Sequence, residues 1–264
     1  MKQIIILISF LSCSLILHAQ SLDAEITQKC DSILQEGNTL YNYEKAAWIF
    51  TDMAMAKPTI KKDFNYYLTY EEEDSIKCIA INKQKQCIYE VVFTDNNTPQ
   101  IERFIFRELS QQESKLLEVK NLLLKDIFNN NHISTYKNFP PNFILLPFNN
   151  GYKLYAICGT RNPKTIPFGN DYLFIVDPNG KIQSKKQFHS RLIPIEIPED
   201  SQITSTIHSH LEQEPFITAT DICTFKLYGK IVGIPQMQVL SSALSIIFTY
   251  DPETNTITTK QLSQ

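Results

Sequence analysis

The sequence has no excess of positive charge and no basic cluster: 25 Lys and Arg stand against 28 Asp and Glu in 264 residues, a formal net charge of −3. That balance argues against nucleic acid and against anionic membrane surfaces as partners. After residue 19 no segment approaches the roughly 18 uncharged apolar residues that a membrane-spanning helix needs, so no transmembrane segment is expected in the mature chain. The bias that marks disorder, collagen or coiled coil is also missing. Apolar residues make up 43% and aromatics 11%, ordinary values for a folded soluble protein.

What is present begins with an unusual N-terminus. Lys2 is the only charge among the first nineteen residues, and Ile4 to Leu17 is an unbroken run of apolar and small residues ending in Leu17-His18-Ala19. This pattern reads as a secretory signal peptide cleaved after Ala19, and it predicts a periplasmic or extracellular protein. Cys13 is a poor lipid acceptor, because cleavage there would leave Ser14 to Leu17 as an apolar terminus. The cysteines beyond it are Cys30, Cys78, Cys87, Cys158 and Cys223, an odd number, so at least one stays unpaired within the chain. A tight turn on Asn82-Lys83 would set Cys78 opposite Cys87, at a spacing close to disulfide range; the alternative is two free buried thiols.

The hydrophobic patterning predicts an α+β fold: N-terminal helices plus antiparallel strands, then a C-terminal mixed sheet with a flanking helix. Leu22, Ile26, Ile33 and Leu34 form one helical stripe, and Ala46, Ala47, Ile49, Phe50 and Met53 a second. Strand-like runs follow near 64–70, 76–81, 87–94 and 101–106, and 110–128 reads as an amphipathic helix. The Asn-rich stretch 129–142, with Pro140-Pro141, is the best linker. It divides the chain into a signal peptide at 1–19, an N-terminal α+β part at 20–140 of unassigned role, and a C-terminal part at 141–264. Further strands are expected at 143–147, 152–158, 172–176, 181–188 and 192–197, and a return strand within 237–250.

One constellation can carry chemistry. The β-branched run Ile203 to Ile207 delivers His208-Ser209-His210, and strand alternation puts both imidazoles on one side. Asp221 follows His210 after ten intervening residues, with Thr218 three before it and a helical pattern beyond, so Thr218 is the expected N-cap and Asp221 projects from the first helical turn. Two neutral imidazoles and a carboxylate form a three-ligand set that leaves Zn²⁺ an open position for water. Thr218-x-x-Asp221 also reads as a plain capping box, which by itself explains both residues.

These residues and their spacing resemble the JAMM (JAB/MPN) metalloprotease family, whose motif runs Glu, then His-x-His, seven residues, Ser, two residues, Asp. The resemblance covers residues 141–255. It implies zinc bound by His208, His210 and Asp221, with Thr218 in the place of the Ser that helps stabilise the oxyanion. It also implies hydrolysis of an amide or isopeptide bond, in this compartment on a peptide or protein of the cell envelope. The counterpart is a catalytically inactive JAB/MPN-like binding module. Two positions depart from the pattern: Leu211 replaces a frequent Pro, and no Asp or Glu occurs from Ile127 to Asn170, where the family's catalytic Glu is expected. Glu113, Glu118, Glu196 and Glu199 are the remaining candidates for that base.

Other metal and nucleophile patterns fit less well. His208-x-His210-x-x-x-Glu214 is similar to a cupin motif but lacks its glycines and its later His. An amidohydrolase barrel cannot be built from the residues after His210. Cys158 and His208 have the order of a Cys-His peptidase, yet Cys158 ends an apolar strand where a nucleophile should open a helix. His132 and His189 read as surface residues, and Trp48 as core.

Overall fold

The computed structural model describes residues 2–94, 98–198 and 201–262, with side chains from Asp23 onward. The signal-peptide and cleavage expectations therefore lie outside the described side chains. Helix α1 (Lys2–Met55) and the short α2 (Pro58–Asp63) lead into strands β1 (Tyr66–Glu72), β2 (Ser75–Ile81), β3 (Gln86–Thr94) and β4 (Thr98–Glu108), then helix α3 (Gln111–Asn129). Strands β5 (Pro141–Phe148), β6 (Gly151–Cys158), β7 (Thr165–Gly169), β8 (Tyr172–Val176), β9 (Ile182–Gln187), β10 (Leu192–Glu196) and β11 (Ser205–Ser209) come next. Helix α4 (Ala219–Val232) and strands β12 (Gln236–Ser241), β13 (Ile246–Asp251) and β14 (Thr256–Gln261) complete an α+β fold. No described helix is long and apolar enough to cross a membrane.

The first four strands form an antiparallel meander, β5-β6-β8-β9 form a second antiparallel sheet, and β10 pairs with β7 as a ribbon. The last sheet, β11-β12-β13-β14, is mixed. Strand β11 runs parallel to β12, with His208 beside Val239, while the other pairs are antiparallel. A parallel pair needs a crossover, and α4 supplies it. This helix is buried almost all round, from Ala219 to Phe225 and again from Leu227 to Gly229.

Where the sequence suggested two N-terminal helices there is one. Nothing between Leu34 and Ala46 breaks the helix, and Gly37 lies buried against α4. A Cβ at Gly37 would sit 2.6 Å from the Cβ of Ile222, so the missing side chain lets α1 and α4 approach closely. The core is shared across the expected boundary near residue 140. Ile26, Ile33, Leu40 and Tyr43 of α1 pack with Tyr155, Ile222, Phe225 and Phe248, and α3 packs with Leu154 and Phe174. Two hydrophobic clusters thus draw on both sides of residue 140, while a third, around Phe50, Tyr89 and Phe93, lies wholly within the N-terminal part.

The Cys78–Cys87 pairing is corrected by register. The loop between β2 and β3 runs from Asn82 to Lys85, with Lys85 in the left-handed region and a bulge at Ala80/Ile81. Cys78 consequently faces Val91, and Cys87 faces Ile81. The two thiols enter cores on opposite faces of the sheet, and both are free, like Cys30, Cys158 and Cys223. Burial raises the Cys78 thiol to about 12 and that of Cys87 to about 11, as expected of inert core cysteines.

Candidate metal centre

Four side chains from three parts of the fold meet at one point: His189, His208, His210 and Asp221. All are buried, with exposures of 3%, 8%, 8% and 1% respectively. Strand β11 delivers His208, and the main chain continues its pairing one step further, with the His210 amide donating to the Leu240 carbonyl at 3.0 Å. That extra rung keeps both imidazoles on one side of an extended backbone. The ring of Phe168, from β7, lies 5.0 Å from the ring of His208 and closes that flank.

Asp221 arrives through the start of α4. Thr218 is the N-cap, and the capping box is complete in both directions. The Thr218 amide and hydroxyl donate to Asp221 Oδ2 at 2.9 and 2.7 Å. Asp221 Oδ1 has no hydrogen-bond partner and lies 3.3 Å from His208 Nε2 and 3.4 Å from His189 Nε2. The capping and ligand readings of Asp221 thus coexist, since Oδ2 caps the helix while lying 3.2 Å from His210 Nε2, and Oδ1 faces His208 and His189. Thr218 itself is 5% exposed and its hydroxyl proton is committed to this cap.

His189 corrects the expectation of a surface residue. It lies between β9 and β10, where the Phe188 amide donates to the Asp171 carbonyl at 3.1 Å and the Gln187 side chain donates to the His189 carbonyl at 2.7 Å. Its Nδ1 is 2.7 Å from Asp171 Oδ1. Asp171 stands in the short link between β7 and β8, and the Thr220 hydroxyl of α4 donates to its other oxygen. Gly169 makes this link possible. Its φ is +76°, and a Cβ there would meet the Arg191 carbonyl at 2.3 Å.

The tautomers follow from these partners. His189 Nδ1 faces a carboxylate, and His210 Nδ1 faces the carbonyls of Phe216 at 2.6 Å and Glu214 at 3.2 Å, so both Nδ1 atoms carry hydrogen. In the neutral rings both Nε2 lone pairs then point at each other across 3.0 Å, and His208 Nε2 lies 3.1 Å from His210 Nε2. Opposed lone pairs at that range repel unless a cation lies between them. Either a metal ion or an added proton meets the need. With no metal, burial opposes charge on His189, but the Asp171 and Asp221 carboxylates outweigh it and raise the imidazole to about 9. Burial likewise works against an ionised Asp221, yet the three imidazoles hold its carboxyl well below the usual range. Three imidazoles, one carboxylate and an orphaned carboxylate oxygen form a group that could hold a metal ion.

The carboxylates considered as a general base are placed elsewhere. Glu113 is buried in the first half of the fold, bonded to Arg107 and Tyr70; Glu118 and Glu196 are exposed; Glu199 lies outside the described residues. Asp171 is close, but on the far nitrogen of His189. The chain matches no protein-family model, and comparison with curated proteins and with solved structures finds no match.

Proposed function

We propose that this chain is an exported, zinc-holding protein of the JAMM-like kind whose metal centre is structural, and that it acts as a binding module of the cell envelope rather than as a peptidase. One observation supports the reading: His189 Nε2 joins the other donors, 3.0 Å from His210 Nε2 and 3.4 Å from Asp221 Oδ1, so four protein groups rather than three can reach one ion. Catalytic zinc sites retain an open position, whereas structural ones are closed by four protein ligands. Tetrahedral zinc with bonds of about 2.0 to 2.1 Å sets its donors about 3.3 Å apart. Four donor separations fit that spacing, His210 Nε2 to His189 and His208 Nε2 at 3.0 and 3.1 Å and Asp221 Oδ1 to His208 and His189 at 3.3 and 3.4 Å, and all the donors lie within 4.8 Å of one another. The Asp171–His189 contact is the outer partner that orients a metal-bound imidazole.

In this reading zinc supplies a cross-link among β11, the N-terminus of α4 and the β9–β10 connection, and Thr218 is a helix cap rather than an oxyanion donor. The hydrolytic alternative needs both an open ligand position and a carboxylate base. His189 beside the other three donors speaks against the first, and the positions of Glu113, Glu118 and Glu196 speak against three of the four candidates for the second. The test is metal analysis with X-ray absorption on untagged protein, wild type beside His189→Ala. The expected result is one equivalent of zinc with four protein ligands in the wild type and a water ligand only in the variant. A wild-type centre that carries exchangeable water and cleaves peptides would overturn the proposal.

A further inference from the structure

A cleft reaches the same crossover helix at Lys226, a little over one turn beyond Asp221. With a volume of about 760 Å³, it opens between α1, the β1–β2 hairpin and the β13–β14 turn, within the size range of small-ligand sites. On one side stand Asn38 of α1, Lys226 of α4 and Asn255 of the turn; on the other stand Glu71 and Asp74 of the hairpin.

The hydrogen-bonding capacity of the first side is settled by Lys226, which can only donate. Its Nζ donates to Asn38 Oδ1 at 2.6 Å and to Asn255 Oδ1 at 3.4 Å, and the Tyr250 hydroxyl also donates to Asn255 Oδ1, at 3.1 Å. With both amide oxygens engaged, the groups that these asparagines offer a ligand are their Nδ2 donors. The hairpin side offers carboxylate acceptors. A ligand bridging a donor side and an acceptor side needs groups that accept and donate at once, and hydroxyls do both. Tyr41 adds a half-buried aromatic ring beside the amides, with Lys226 Nζ 4.6 Å from its centroid. Lys226 covers one face of that ring, so a sugar would meet Tyr41 along its edge or opposite face, beside the paired donors and acceptors.

We infer that this cleft binds a neutral oligosaccharide, its hydroxyls accepting from Asn38 and Asn255 and donating to Glu71 and Asp74. The inference gives the binding-module reading a ligand class, and its failure leaves the metal measurements untouched. The experiment screens the full mature protein on an array of neutral glycans and titrates it calorimetrically with chitotetraose and maltotetraose. Wild type is compared with Glu71→Gln/Asp74→Asn, an exposed hairpin pair whose change should spare folding, and with Asn38→Ala. Saturable one-to-one binding is expected, weakened tenfold or more in both variants, with zinc content unchanged in both and melting temperature unchanged in the hairpin variant. Absence of any neutral-glycan binding, or binding that survives both variants, overturns the inference. So does a response confined to charged ligands.

Discussion

Removing the metal should cost stability in proportion to how completely the four ligands depend on it. Without a cation, Asp221 Oδ1 is a buried carboxylate oxygen with no hydrogen bond, and the Nε2 lone pairs of His189 and His210 oppose each other at 3.0 Å. A metal that binds the folded chain alone stabilises it by about 2.7 kcal/mol when its free concentration is 100 times Kd, and by about 4 kcal/mol at 1,000 times. For a chain of this size each kcal/mol moves the melting temperature by about 2 to 4 °C. Scanning calorimetry with and without EDTA should therefore show a drop of about 5 to 16 °C in the wild type. The double variant His208→Ala/His210→Ala should melt low in both conditions and should not respond to EDTA. A wild type that carries no metal and whose melting point ignores EDTA refutes the reasoning. It would mean that a protonated His189, held by Asp171 and Asp221, closes the cluster unaided.

Asp171→Asn keeps all four ligands but weakens the acceptor that orients His189; zinc affinity, measured by competition with a chromogenic chelator, should fall about 10- to 100-fold. An unchanged affinity would show that the β9–β10 backbone alone fixes the ring. At Glu113, burial favours the neutral acid, but Arg107, Tyr70 and the Ser110 amide hold the carboxyl down to about 2 from an ordinary 4.5. A carboxyl depressed in the folded state adds stability that is complete above its unfolded value and fades as pH falls toward the folded one. At most about 3 kcal/mol should be lost between pH 5 and pH 2. Glu113→Gln should be destabilised at neutral pH with a flatter acid limb in urea titrations, and an unaltered limb would remove Glu113 from the account. Gly37→Ala gains up to about 1 kcal/mol of helix propensity but forces a Cβ into Ile222, an overpacking cost of about 1 to 3 kcal/mol. The net effect should be a loss of stability together with weaker zinc binding, and a stabilised variant would mean that α1 can shift without disturbing α4.

The sequence made legible whatever rests on local periodicity. The strand that ends in His208 and His210, the capped start of α4 and most antiparallel strands all follow from alternation, helical spacing and turn residues. What it hid is tertiary. Strand β7 carries Pro167 and Gly169, and it reads as a loop because its regular structure comes only from pairing with β10. The run 237–250 divides into a hairpin at Ser242–Ser245, and β14 is too polar to announce itself. Cys78 and Cys87 were misaligned because register depends on loop length, and a four-residue loop with a bulge moves each thiol to a different face of the sheet.

The same division runs through the metal centre itself. His208, His210 and Asp221 were visible because one strand, one loop and one helix start carry them within fourteen residues. His189 was not, since it reaches the site from a separate connection, and its only sequence signal is Phe188 ending an otherwise polar strand of Lys and Gln. Yet His189 is the residue that changes the chemistry. Three ligands would leave a vacant corner for water, whereas a fourth imidazole, here 3.0 Å from His210, is what the proposed closed site requires. The buried Asp171 and the left-handed Gly169 both serve to keep that imidazole in place. On the proposed reading, a sequence motif specifies three corners of a metal centre, while a residue supported by long-range contacts decides whether the centre reacts or only holds the fold.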